Sequence, residues 1–145
     1  MSDTVFSFIP KDPYIKLTSK TVDEIKERFR NELTIKIDVS ERVEFADAGE
    51  NFDTIRCPYC GYSLMGWWGE AMDYAYNRDK GFLGLDIATP CCKKETTLND
   101  LIYDFDQGFY KTIVIVEDDN VNIESVIKDL ENITNIKWKS IITRI

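Results

Sequence analysis

The chain has 145 residues, 43% of them hydrophobic and 12% aromatic, which is enough apolar surface for one ordinary core and unlike the composition that keeps chains disordered. Eighteen basic against 26 acidic residues leave a net charge of −8, which argues against nucleic acid or an anionic lipid surface as partner. Histidine is absent, and with it go the commonest general base near neutral pH and the commonest catalytic zinc ligand.

Residues 5–9 are apolar and β-prone before Pro10 and Pro13 break the run, and they predict a short first strand. Thr21 and Glu24 have the spacing of a capping box, and Val22, Ile25, Phe29 and Leu33 follow on one stripe, predicting a helix over 21–32. Residues 33–39 alternate apolar and polar with period two, predicting a second strand, and 42–46 form a further extended stretch. A turn at 48–51 then leads through Phe52 and Ile55 to the first cysteine pair.

Between the cysteine pairs, helix formers over 67–78 predict a short helix and the alternation over 82–88 a strand. Residues 97–101 suggest a capped helical turn or tight loop, and Gly108 opens a β-branched run over 110–116, a third core strand. Turn and capping residues at 117–120 precede Ile123, Val126, Ile127, Leu130 and Ile133 at helical spacing, and 136–145 read as a closing strand. The predicted fold is α+β: a ferredoxin-like βαβ-βαβ arrangement, with two helices on one face of a four-stranded antiparallel sheet, interrupted by a zinc-ribbon-like insert. One domain is expected over 1–145, with the insert at about 52–100.

The run CPYCG at 57–61 places two thiols three positions apart, with Gly61 permitting a turn that aims backbone amides at sulfur. Cys91 and Cys92 follow Pro90 about 30 residues later, a separation suited to a two-knuckle site. Cys57, Cys60, Cys91 and Cys92 are therefore the expected ligands of one structural Zn2+, closed to water and acting as a cross-link. A usual second knuckle is also spaced Cys-x-x-Cys, whereas here the cysteines are adjacent and Lys94 stands where a fourth ligand is expected, so Asp86 or Glu95 are alternative donors. Two other readings of the cysteines stay open. They are buried free thiols, or Cys57 and Cys60 form a dithiol of the Cys-Pro-x-Cys type, in which a helix start lowers a thiol pKa.

Of the adjacent Trp67 and Trp68, either one is exposed as a contact surface or both pack between the insert and the main sheet. Glu70 and Asp73 would share a helix face, most simply a solvated one. No GxGxxG, Walker A, GxSxG or HExxH pattern occurs, so the corresponding enzyme classes lack support. The amino-terminal residues have no basic flank and apolar core of a leader, no membrane-spanning run occurs, and cysteines that bind metal suit a reducing compartment; a cytoplasmic protein is expected.

The succession CPYCG (57–61), Trp67 and Trp68, TPCC (89–92), LNDLIYDFDQGFYKTIVIV (98–116) and IKWKSIITRI (136–145) resembles a group of small uncharacterised bacterial proteins with a zinc-ribbon-like core. The resemblance covers the chain from Phe8 onward and implies a fold, but no activity and no catalytic residue. The expected function is a zinc-stabilised, non-enzymatic module that binds another protein, such as an immunity protein or inhibitor facing a basic toxin. The alternatives are a dithiol redox protein or enzyme using Cys57 and Cys60, and a nucleic-acid-binding ribbon using Lys93, Lys94 and the lysines at 137 and 139.

Overall fold

A computed structural model describes residues 4–49, 54–104 and 106–144. Phe52, with the Glu50 and Asn51 part of the expected turn, lies outside the described residues, as does Ile145. The described residues are mixed α+β, with three α-helices and a mostly antiparallel main sheet.

Strand β1 (Thr4–Pro10) is followed by helix α1 (Ser19–Phe29) and β2 (Ile35–Ala46). The α1 cap is Thr18, whose hydroxyl accepts the amide of Thr21 at 3.3 Å, so the expected box at Thr21 and Glu24 is displaced by one turn and the helix begins earlier. Ile25 and Phe29 form its buried stripe. The expected strands at 33–39 and 42–46 are one strand with an irregularity between Val39 and Glu44, where β2 advances five residues while its partner advances two. That odd excess swaps the faces: Ile35 and Ile37 pack towards the helices, Val43 and Phe45 towards the opposite side.

The segment between β2 and the next long strand carries β3 (Ile55–Arg56), α2 (Met65–Ala75), β4 (Tyr76–Asn77), β5 (Gly81–Phe82), β6 (Asp86–Ala88), β7 (Glu95–Thr97), a 3-10 turn at Leu98–Asp100 and β8 (Ile102–Tyr103). The strand expected over 82–88 is thus two short strands in different sheets, broken where Leu85 turns into the core. β9 (Gly108–Val116), α3 (Ile123–Thr134) and β10 (Trp138–Arg144) complete the chain. Helix α3 is capped by Asn122, whose side chain accepts the Ser125 amide, and ends on Asn135 at φ 60°.

The main sheet runs β10-β1-β9-β2-β5-β4, six strands rather than the four expected, because β5 joins the free edge of β2. Every pair is antiparallel except β2 with β5, which meet at Val43 and Gly81. Gly81 has φ +74°, and a Cβ there would lie 2.6 Å from the Val43 carbonyl oxygen, so the close approach needs glycine. Two large hydrophobic cores flank the sheet, and a smaller cluster gathers Ile9, Ile113 and Ile141. Helices α1 and α3 cover Phe8, Val114, Val116 and Trp138 on one face, linked to each other by Arg28 and Asp129 at 2.9 Å. On the other face Val43 and Phe109 join Ile55, Leu64, Phe82, Leu85, Leu98 and Tyr103 from the intervening segment. Thr112, fully buried, accepts the Leu17 amide and donates to the Ile15 carbonyl, holding the β1–α1 loop on β9. No helix among the described residues is long and apolar enough to cross a membrane.

Candidate metal centre

The four cysteines arrive from two hairpin turns of the same backbone design. In the first, the Gly61 amide donates to the Cys57 carbonyl and the Cys57 amide to the Tyr62 carbonyl, both at 2.9 Å, with Gly61 at φ +75°. In the second, the Lys93 amide donates to the Thr89 carbonyl at 2.7 Å and the Thr89 amide to the Lys94 carbonyl at 3.0 Å, with Lys93 at φ 58°. The flanking pairs match as well, Arg56 with Ser63 and Ala88 with Glu95. Every position corresponds at an offset of 32 residues, Pro58 with Pro90 included.

That correspondence revises the expected reading of the second pair. Cys92 stands where Cys60 does, but the position of Cys57 is held by Thr89, and Cys91 occupies the place of Tyr59. The position that has a cysteine in the first turn and none in the second is therefore Thr89 and not Lys94, whose ammonium lies 5.1 Å from the Tyr59 ring centroid. Thr89 is buried and its hydroxyl accepts the Lys94 amide at 3.3 Å. The signal was present in the sequence: TPCCK laid on CPYCG by its proline puts Thr89 under Cys57.

The turns face each other. All four Sγ atoms lie within 4.8 Å of one another, and Cys60 Sγ is 3.5 Å from Cys91 Sγ. Thiolates held at about 2.3 Å around a tetrahedral metal are separated by roughly 3.8 Å, so the spread fits one ion, and 3.5 Å is far beyond a disulfide bond. The cluster could hold a metal ion, and neither Asp86 nor Glu95 belongs to it. Glu95 contributes its carbonyl, which accepts the Tyr59 hydroxyl at 2.7 Å and ties one hairpin to the other.

No protein-family model, curated protein or solved structure matches this chain. The chemistry must be argued from the side chains.

Cys57 is buried in the second core, Cys92 is half-buried, and Cys60 and Cys91 are exposed. The group thus joins the core on one side and meets solvent on the other. Burial opposes ionisation of Cys57, but amides of Tyr59 and Cys60 and the neighbouring thiols donate to its sulfur and bring it down to about 6. Cys91 is raised by burial and by its neighbours, and Cys92 is pushed up to about 12 by hydrogen bonding with Cys60 and by burial. Several thiolates this close repel one another, so one sulfur carries the first charge and a cation is needed to stabilise the rest.

Other expected features fall into place around this group. Trp67 and Trp68 are both half-buried against the second core, and the Trp68 indole donates to Tyr103 at 3.3 Å while Tyr103 donates to the Leu98 carbonyl at 2.6 Å. Glu70 and Asp73 are exposed on α2. Of the lysines expected to form a basic face, Lys137 pairs with Glu131 at 3.9 Å and Lys139 turns inward to donate to the Gln107 carbonyl at 2.7 Å.

Proposed function

We propose that the protein is a recognition module whose hairpin region is held by one structural Zn2+ on Cys57, Cys60, Cys91 and Cys92. The observation that carries the metal is the convergence of four sulfurs within 4.8 Å from two matching turns. Zinc is favoured because it takes four thiolates tetrahedrally without demanding a further ligand, so the ion would cross-link and not generate a nucleophile. A zinc-ribbon-like insert on a ferredoxin-like frame is the corresponding fold reading, supported by the paired turns and by the order β10-β1-β9-β2 of the four long strands. Kinship with the small bacterial proteins having such a core rests on the CPYCG and TPCC motifs.

Binding of another protein, as an immunity protein or inhibitor would bind, is the role this reading gives the module. Its support is the net charge of −8 together with the apolar surface left exposed on and beside α2, where Tyr74, Tyr76 and Leu83 face solvent. The dithiol alternative, which uses Cys57 and Cys60, draws on the lowered Cys57 thiol, but α2 begins only at Met65, so no helix start lies behind Cys57. Elemental analysis of protein purified without chelator, with a free-thiol count, decides between them. One zinc per chain and protected thiols are expected; metal-free protein with a reactive thiol overturns the metal reading.

A further inference from the structure

Helix α2 is rich in apolar residues, yet none of its residues is fully buried. Between this helix, the strands β4 and β6 and the segment after β5 lies a groove of about 720 Å³ lined by Trp67, Tyr74, Leu83 and Ile87, with Glu70 and Asp86 as its charged members. Tyr74 is 94% exposed and Leu83 61%, an arrangement that costs free energy in water unless another surface covers it. Among the described residues neither Glu70 nor Asp86 forms an ion pair, so the groove offers apolar walls and uncompensated negative charge together.

We propose that this groove docks a short basic segment of a partner protein, its aliphatic or aromatic side chains lying against Trp67, Tyr74, Leu83 and Ile87 while an arginine or lysine reaches Glu70 and Asp86. The inference rests on the recognition reading above and adds where recognition happens and what charge it selects. Charge complementarity chooses the occupant. An acidic segment or a phosphate backbone would meet two carboxylates and a chain of net charge −8, whereas a cationic head placed beside aromatic rings gains from both the carboxylates and the ring faces. Strand β6 forms one wall and leads directly into the second hairpin turn at Thr89, so metal loading would set the shape of the groove.

The test uses the full zinc-loaded chain, isotope-labelled, titrated at near-physiological salt with a short peptide of arginines and leucines and with its counterpart bearing glutamate for every arginine. The expected result is amide shifts confined to 67–77 and 83–88 with the basic peptide and none with the acidic one. Tyr74→Ser, and separately the pair Glu70→Lys with Asp86→Lys, should each weaken binding at least about tenfold, as loss of an interface anchor does. Tyr74 is almost wholly exposed, so its replacement leaves the fold intact. Shifts on another face, equal response to both peptides, undiminished affinity in the variants, or no binding each overturn the groove. Photo-crosslinking in the source cells from Tyr74 and from exposed Lys128 on α3 separates this from the broader reading. Crosslinks from Lys128 alone overturn the groove and keep recognition; crosslinks from neither overturn both.

Discussion

Thr89 accepts the Lys94 amide through its hydroxyl in a turn whose backbone repeats that of Cys57, although no sulfur is present at that position. Cys91 supplies the fourth sulfur from one turn position that Tyr59 fills in the other hairpin. Replacing Cys91 by Ser should therefore lower zinc affinity at least about a hundredfold, more than loss of an outer-shell partner does. Adding Thr89→Cys to Cys91→Ser should recover much of it, because the turn already presents a Cβ in the place of Cys57. Competition against a chromophoric chelator measures both, and a double variant no better than Cys91→Ser would show that the two turns are not equivalent. The same titration has a pH dependence with a definite sign. Cys57, lowered to about 6, is already a thiolate at neutral pH, whereas Cys91 and Cys92 must give up protons to bind, so affinity should rise with pH. Below about pH 6 Cys57 is protonated too, and the slope of log affinity against pH should steepen by about one.

Two glycines in strained backbone divide the work of the elements. Gly61 has φ +75° and nothing within 4 Å of a built Cβ, so Gly61→Ala pays only for the left-handed conformation, about 1 kcal/mol. Gly81 combines φ +74° with a Cβ position 2.6 Å from the Val43 carbonyl, so Gly81→Ala should cost more than about 2 kcal/mol by prising β5 off β2. Urea denaturation of the two variants ranks them, and equal losses would refute the close approach as the cause. Trp138 donates its indole N–H to Thr134 at 2.8 Å and its amide to Glu131 at 3.0 Å, so β10 is tied back to α3 as well as paired with β1.

At the scale of the whole molecule the sheet separates two large cores, one under α1 and α3 and one shared by the cysteine-bearing segment with Val43 and Phe109, with a smaller cluster of Ile9, Ile113 and Ile141 besides. Leu130→Ala empties a fully buried site in the first and should cost about 2–5 kcal/mol while leaving zinc affinity unchanged. Chelation acts on the second. With Cys60 and Cys91 exposed, a chelator can reach the site directly, and its removal of metal should abolish amide-exchange protection across 57–64 and 86–97 before it touches β1, β9 and β10. Unchanged protection in the hairpins after metal loss would refute the cross-linking role.

The strand, helix, strand order at both ends of the chain was legible because β-prone runs stand at 5–9 and 110–116 and period 3.6 is written directly in 123–133, although the cap of α3, expected within 117–120, lies further on at Asn122. The gathering of the four cysteines into one cluster that could hold a metal was legible because thiols at this spacing have few other uses in a chain of this kind. Tertiary structure decided the rest. The splitting of 82–88 into β5 and β6 and the two added strands depend on Gly81 meeting Val43 of β2 and on Phe82 and Leu85 entering the core beside it, contacts remote in sequence that leave no local period. The face swap in β2 has the same origin: an odd excess of residues opposite β9 is a property of the pair, and neither strand alone carries it.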